Sequence, residues 1–192
     1  MADEYEAAVE ESNTHQVTDE HFRSLMTRAL ETDDPEAVAN IESEYKYAEY
    51  DHEPDVLSKE EREWPYSKTQ YERVGVIYDG MIEMFRAAGI PIEDEFKHAI
   101  VLSIIGAQIW LDDIDDFDAD RAENQLTPVT AEYVIADSER EAYERVVDVA
   151  SQYLDAAIES AVKSESNLTG IAAEYIYLSG QPDELPGYRP PR

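Results

Sequence analysis

The sequence FKHAIVLSIIGAQIW, residues 96–110, runs directly into LDDIDDFDADR, residues 111–121. The first segment is apolar on nearly every face of a helix, and a helix of that composition belongs in the middle of a bundle. Six aspartates then follow within nine residues. We therefore predict a central helix over about 92–121 that is buried along most of its length and ends in a concentration of carboxylates.

Other segments carry the apolar spacing of amphipathic helices. One stripe precedes the central helix and a second follows it: Tyr71, Val74, Tyr78, Met81, Ile82 and Phe85, then Ala142, Val146, Val149, Tyr153, Ala157 and Ala161. No segment alternates with a period of two for long enough to form a sheet. The spacing predicts an all-α, single-domain bundle of about five to seven helices over residues 18–180. An acidic flexible arm at 1–17 and a Pro-rich extended tail at 181–192 are expected to flank it.

Local signals predict where several helices begin. Ser58 with Glu61, and Ser67 with Gln70, have the spacing of capping boxes, in which two side chains bond each other's backbone N–H groups. Ser138 with Glu141 repeats the pattern before the long stripe of the following helix. We expect a helix to start just after each of these three serines.

The composition restricts the class of protein. The 192 residues include no cysteine, 45 acidic and 15 basic residues, and the net charge is −30. Disulfides and thiolate sites are excluded, and the scarcity of Lys and Arg argues against nucleic-acid binding. No window supplies the roughly 20 apolar residues of a membrane span, and no signal peptide is visible. The acid excess is typical of a salt-loaded cytoplasm, so we expect a halophilic, cytoplasmic protein that does not span a membrane.

Three of the clustered aspartates share one face of the central helix. Successive helical residues turn by about 100°, which stacks Asp112, Asp116 and Asp120 one turn apart. Carboxylates so close repel each other unless water, a proton or a cation relieves them. Hard oxygen ligands suit Mg²⁺ or Mn²⁺, and Mg²⁺ takes water or substrate phosphate in its remaining positions. These three side chains are therefore the candidate metal ligands.

The same residues resemble a known metal motif. The string from Asp112 to Arg121 is similar to the second metal motif of class I isoprenoid (terpenoid and polyprenyl) synthases, where acidic or amide residues recur at i, i+4 and i+8. Its continuation through Thr127-Pro128-Val129 resembles the aspartate loop of UbiA-type prenyltransferases. The resemblance implies that the three aspartates hold Mg²⁺ against a prenyl diphosphate. It also implies a Mg-dependent synthase or transferase that ionises this diphosphate.

Cations and aromatic rings complete this hypothesis. If the helix that ends near Ala88 forms an antiparallel hairpin with the central helix, Asp112 lies level with residues 67–71. The cations expected to bind diphosphate at that end are Arg121, Lys68, Arg73 and Arg140. The side chains expected to enclose the prenyl chain are Trp110, Phe117, Tyr71 and Tyr78. Each cation also has an ordinary alternative, a salt bridge to one of the many acids.

A second interpretation involves no catalysis. A solvated, salt-adapted helix end has the same dense acids, and an acidic helical module of a halophile can bind a protein partner as an inhibitor or immunity-type factor. The four histidines have no ligand spacing, which argues against zinc, and His98 is expected on a helix surface. No Ser-His-Asp or Cys-His nucleophile is recognisable in the sequence. Substrate, partner and oligomeric state stay open.

Overall fold

The computed structural model describes residues 20–164 and 166–190, and this part of the chain is helical and contains no strand. In chain order the helices are α1 (20–32), α2 (Pro35–Asn40), α3 (Lys59–Arg62), α4 (Ser67–Gln70), α5 (Val76–Ala87), α6 (Asp94–Ala107), α7 (Phe117–Ala122), α8 (Pro128–Ile135), α9 (Glu139–Lys163) and α10 (Asn167–Ser179). Three π-helical turns follow or join them: π1 (Ile41–Lys46), π2 (Tyr71–Gly75) and π3 (Gln108–Asp113). The all-α prediction is confirmed.

The centre of the bundle is the contact between α6 and α9. Gly106 lies so close to α9 that a Cβ at this position would be 2.7 Å from the Leu154 side chain. The missing side chain therefore lets the two helices approach closely. α10 covers the same end of α6, where Trp110 stacks on Tyr177 with ring centroids 5.5 Å apart. The apolar run at 96–110 thus occupies the position that its composition predicts.

The central helix has different limits from those predicted. It begins at Asp94, because Glu93 is still extended, with φ −74° and ψ 153°. It takes π geometry from Gln108 and is interrupted at Asp116, with φ −86° and ψ 2°, before α7 begins. Carboxylates at the C-terminal end of a helix oppose its dipole, which favours a break there over continuation to Arg121.

A helix begins at or just after each of the three serines, and two of the three predicted caps are confirmed. Ser58 and Glu61 form a capping box, and the Ser138 hydroxyl accepts a hydrogen bond from the Glu141 N–H at 3.3 Å. The capping box predicted at Ser67 is wrong. Tyr66 occupies the cap position in a left-handed conformation, with φ 62° and no side-chain bond to the helix. The Gln70 side chain, expected at this cap, is instead fully buried.

The C-terminal tail packs against the bundle. Leu185 is buried, and the Tyr133 hydroxyl donates to the Pro186 carbonyl at 2.6 Å. Gly187 has φ 90°, and its Cα faces the backbone of Glu139 closely enough to leave no room for a side chain. The described tail residues, 181–190, are therefore docked, whereas the predicted arm at 1–17 lies outside the described residues.

Two outer helices present apolar faces. Ile77 and Met84 of α5 are 61% and 67% exposed, and Tyr175 and Leu178 of α10 are 71% and 81% exposed. In each helix these side chains are spaced so that they share one face. None of the helices in the described ranges is both long enough and apolar enough to cross a membrane. The two faces are candidate contact surfaces for a partner.

Candidate functional site

An ion pair joins π2 to the aspartate cluster of π3. Arg73 donates from Nη1 to Asp113 Oδ1 at 2.9 Å, and its Nη2 lies 3.8 Å from Asp112 Oδ2. The Asp112 carboxylate also accepts a hydrogen bond from the Gln108 amide, one turn earlier. The guanidinium therefore lies between two neighbouring carboxylates, at the level that the hairpin geometry predicts for Arg73.

Asp113 is the buried member of this ion pair. Its side chain is 1% exposed. Burial raises the pKa of the Asp113 carboxyl to about 7, although Arg73 and Gln108 pull it in the opposite direction. Burial alone would lower the pKa of Arg73, but the charge of Asp113 outweighs that effect and raises it. Arg73 therefore stays charged while Asp113 titrates near neutral pH, a property common among acids and bases of active sites.

Several polar atoms beneath this pair have no hydrogen-bond partner. They are Oδ2 of Asp113 and both amide atoms of Gln70, whose side chain is completely buried. Tyr45 lies in the same interior region, and its hydroxyl donates to the Leu126 carbonyl at 3.1 Å. Burial, followed by the charge of Asp113, raises the pKa of Tyr45 far above its usual range. A buried polar group without a partner costs about 1–3 kcal/mol, so each calls for a water, an ion or a ligand.

The three predicted metal ligands form the outer part of the cluster. Asp112 and Asp116 are exposed, and Asp120 is half-buried. Burial raises the pKa of Asp120 most, followed by the negative charges of Asp116 and Asp112. The positive charge of Arg73 acts in the opposite direction and lowers the pKa. The three carboxylates therefore act on one another and share one negative patch above the buried ion pair.

All three π-helical turns contribute to the site. Tyr45 lies in π1, Arg73 in π2, and both Asp112 and Asp113 in π3. Such turns hold well under about 1% of residues in globular proteins and frequently mark functional sites, because an inserted residue disturbs regular hydrogen bonding. Their convergence on one polar cluster distinguishes it from an ordinary surface salt bridge.

The other predicted cations lie elsewhere. Lys68 is 2.9 Å from the Asp51 carboxylate, and Arg140 is 2.6 Å from that of Glu144. Arg121 is exposed, with its guanidinium carbon 6.0 Å from the centre of the Phe117 ring. Of the four predicted cations, Arg73 thus lies at the aspartates. Lys68 and Arg140 instead form surface salt bridges with other acids, the alternative that we considered for each cation.

The four predicted pocket aromatics do not share one cavity. Trp110 lines a cavity of about 200 Å³ beside α10, whereas Tyr71 lines a separate cleft of about 1000 Å³. Phe117 is buried against Tyr133, with ring centroids 4.5 Å apart. Tyr78 is half-buried on α5. Of the four, Phe117 lies nearest in sequence to the aspartates, directly after Asp116, and Trp110 lies two residues before Asp112.

The aspartates have the ligand atoms that Mg²⁺ prefers, but their side chains do not converge on one point in this structure. Carboxylate oxygens are its preferred ligands, and Asp113 Oδ2 is free to accept one. Within residues 20–164 and 166–190, however, no three acidic or histidine side chains converge closely enough to hold a metal ion. Arg73 fills the space between Asp112 and Asp113. A cation bound by both carboxylates would have to displace this guanidinium, which lies 2.9 Å from Asp113 Oδ1.

The sequence analysis missed the buried half of the site. Asp113 was not selected, although Leu102, Gly106, Ile109, Asp113 and Phe117 form one stripe at steps of three and four residues. A carboxylate at a buried stripe position is a signal in itself, because an unpaired buried charge is costly. No comparable signal identified Tyr45, which reaches the cluster from π1, or Gln70, which lies three residues before Arg73.

The chain matches no known protein family, no curated protein and no solved structure. Its function is therefore inferred from the geometry of this cluster.

Proposed function

We propose that the cluster around Arg73 and Asp113 binds a prenyl diphosphate together with Mg²⁺, as the isoprenoid-synthase resemblance implies. The observation that carries the proposal is the meeting of three π-helical turns at a site with buried, unpartnered polar atoms. Those atoms are the groups that a bound ligand, or water ordered by it, would satisfy.

Each side chain of the cluster has a distinct role in this proposal. Arg73 donates to diphosphate oxygens once it leaves Asp113, because a guanidinium offers paired N–H groups to a phosphate. Asp112, Asp116 and Asp120 supply the oxygens for Mg²⁺, which when bound would neutralise the charge of the diphosphate. Asp113, left without Arg73, takes up a proton readily because it is buried.

The cavity of about 200 Å³ beside α10 is not part of this site. Trp110, Leu111 and Ile114 line it together with Asp115, and neither Arg73 nor any of the three aspartates is in its lining. Dimethylallyl diphosphate, the diphosphate of a single isoprenoid unit, is a small member of the proposed substrate class and serves as the probe.

Calorimetric titration with Mg²⁺ and dimethylallyl diphosphate tests the proposal. The wild-type chain should bind the diphosphate more tightly with Mg²⁺ than without it, because the ion links phosphate to carboxylate. The double change Asp112→Asn and Asp116→Asn should weaken this metal-dependent binding by at least about tenfold, which corresponds to 1.4 kcal/mol.

The matched control is Asp115→Asn with Asp118→Asn, which removes the same charge from exposed residues on other faces of the helix. This variant should bind nearly as well as the wild type. The proposal fails if the wild type gives no heat above dilution, or if both double variants lose affinity equally.

A second candidate function is recognition of a protein partner by the apolar faces of α5 and α10. Large exposed apolar patches on soluble proteins commonly mark interaction sites. The chain carries a net charge of −30, which favours a basic partner by electrostatic complementarity. The occupant that fits both properties is a basic amphipathic helix, with its apolar side on the patch and its Lys or Arg residues toward the acidic surroundings.

A synthetic amphipathic helix of Leu and Lys probes this second function. Binding should weaken as salt increases, and the combined changes Tyr175→Asp and Leu178→Asp on α10 with Ile77→Asp and Met84→Asp on α5 should abolish it. The Asp112 and Asp116 double variant, with its apolar faces intact, serves as the control. If sedimentation instead shows a dimer that the α10 changes dissociate, the patch binds a second copy of the chain and the basic-partner proposal is wrong.

A further inference from the structure

A second polar network lies at the opposite end of α6, about 20 Å from the aspartates by the helical rise of 1.5 Å per residue. His98 Nδ1 lies 2.7 Å from the Ser160 Oγ, and His98 Nε2 lies 2.9 Å from a Glu61 carboxylate oxygen. The three residues come from α6, α9 and α3. We call this network the Glu61–His98–Ser160 relay. The expectation that His98 is a simple surface residue is wrong, since its side chain is 22% exposed and bonded on both sides.

The local structure orients each member of the relay. Glu61 is 10% exposed and accepts a hydrogen bond from the Ser58 N–H through its capping box, which holds the carboxylate in place. Burial would raise the pKa of Glu61, but the hydrogen bonds from His98 and Ser58 outweigh it and lower the pKa. Glu61 is therefore ionised and accepts Nε2–H. That tautomer leaves Nδ1 unprotonated and able to accept the hydroxyl proton of Ser160.

The relay lines the cleft of about 1000 Å³ between α3, α5, α6 and α9. The cleft has six acidic and three basic side chains in its lining, so it is negative overall and attracts cations. Ser160 itself is 4% exposed and belongs to the lining of the cleft. Near the relay, Lys97 is held by Asp79 at 2.6 Å and Glu83 at 2.7 Å.

We propose that the relay is a second, independent site that hydrolyses small carboxylic esters bearing a positive charge. A serine whose hydroxyl contacts a histidine that is oriented by a carboxylate has the parts of an activated nucleophile. A serine–histidine–acid triad is recognised by the roles and geometry of its members. The histidine can therefore serve as the base although its Nδ1 faces the serine and its Nε2 faces the acid. The negative cleft selects cationic esters because it raises their local concentration.

The reaction balances without a cofactor. Ser160 Oγ bonds to the ester carbonyl carbon, and its proton moves to His98 Nδ1, while Glu61 stabilises the imidazolium. The alcohol leaves with that proton, and an acyl-Ser160 ester is formed. Water then attacks the acyl group by the same route, releasing the carboxylic acid and restoring Ser160. Ser160 is the nucleophile, His98 the general base, and Glu61 a positioning residue.

Covalent labelling tests the nucleophile. A fluorophosphonate probe added to the full chain should modify Ser160, as located by peptide mass spectrometry, and His98→Ala should slow labelling by about 100-fold or more, the usual contribution of a general base. The matched control is Ser164→Ala. Ser164 lies one turn further along, and its hydroxyl donates to the Ala161 carbonyl instead of a histidine. That variant should be labelled at the wild-type rate.

Two further measurements separate catalysis from structure. Acetylcholine should be hydrolysed with a lower KM than its neutral isostere 3,3-dimethylbutyl acetate, and Ser160→Ala should abolish both activities with its helical circular dichroism unchanged. Glu61→Gln should shift the ¹⁵N NMR signals of the His98 ring as well as slow labelling, which marks a positioning role. No labelling of the folded wild type, labelling at another residue, or equal labelling of the Ser160→Ala variant would overturn the proposal.

Discussion

Replacing Arg73 by alanine should lower the free energy of unfolding by about 3–5 kcal/mol at about pH 8, because it leaves a buried carboxylate without its partner. Asp113 is 1% exposed and already has one unpartnered oxygen, and the guanidinium of Arg73 is the cation paired with its other oxygen. Urea denaturation measures the loss. Arg140→Ala, which breaks an exposed pair with Glu144 at 2.6 Å, should cost no more than about 1 kcal/mol.

The pH dependence of stability should identify Asp113 as the cause. Its pKa is about 7 in the folded chain against a reference value of 3.8, so between these values the folded state holds a proton that the unfolded state has lost. The stabilising contribution of Asp113 to the free energy of unfolding is therefore complete below about pH 4, and it is lost as the pH rises through about 7. The cost of Arg73→Ala should accordingly be smaller at about pH 5 than at about pH 8.

Asp113→Asn supplies the matching control. The free energy of unfolding of this variant, relative to that of the wild type, should rise by roughly 2–3 kcal/mol between about pH 5 and pH 8. This follows because one unit of pKa corresponds to 1.36 kcal/mol. Asp120 also has a raised pKa and acts in the same direction, so some pH dependence should persist. A difference between the two chains that does not change with pH would show that Asp113 does not titrate near neutrality.

The second large effect is expected at Lys46. Its Nζ lies 2.7 Å from Glu132, and the two side chains are 7% and 1% exposed. The Tyr66 hydroxyl donates to the same carboxylate at 2.9 Å, and Arg145 lies 3.7 Å from its other oxygen. Lys46→Ala should cost about 3–5 kcal/mol in urea denaturation, because Glu132 keeps a buried charge with too few partners.

Removing both charges should be far less harmful than removing one. The double variant Lys46→Met and Glu132→Gln keeps an acceptor for Tyr66 and should recover most of the loss. Lys163→Ala breaks an exposed pair with Glu159 and should change stability by less than about 1 kcal/mol. If Lys46→Ala costs no more than this surface control, Arg145 and Tyr66 together satisfy Glu132 and the buried pair is not needed.

The fold was predictable because its main signals are local. The apolar spacing before and after the central helix predicted α5 and α9, and the Ser58 and Ser138 caps were visible from side chains three residues apart. The level of Arg73 relative to Asp112 followed from helical rise in a hairpin. Each of these features depends on residues near one another in sequence or on regular helix geometry.

The rest of the site depends on contacts that have no local signature. π1, π2 and π3 break the regular turn that the sequence reasoning assumed, and no residue type specifies such a turn. Gln70 has the spacing of a helix cap but lies in the interior, since Tyr66 begins the helix in a left-handed conformation. The partners of His98 are 37 and 62 residues away, and only tertiary packing brings them together.

The most direct test of the proposed function is anomalous diffraction from crystals grown with Mn²⁺ and dimethylallyl diphosphate. Mn²⁺ shares the oxygen preference of Mg²⁺ and gives a measurable anomalous signal. We expect a peak bounded by Asp112, Asp116 and Asp120, with the diphosphate beside it and Arg73 turned from Asp113 toward the phosphate. Crystals that contain the diphosphate elsewhere, or that show no peak at these carboxylates and Arg73 still paired with Asp113, would contradict the proposal.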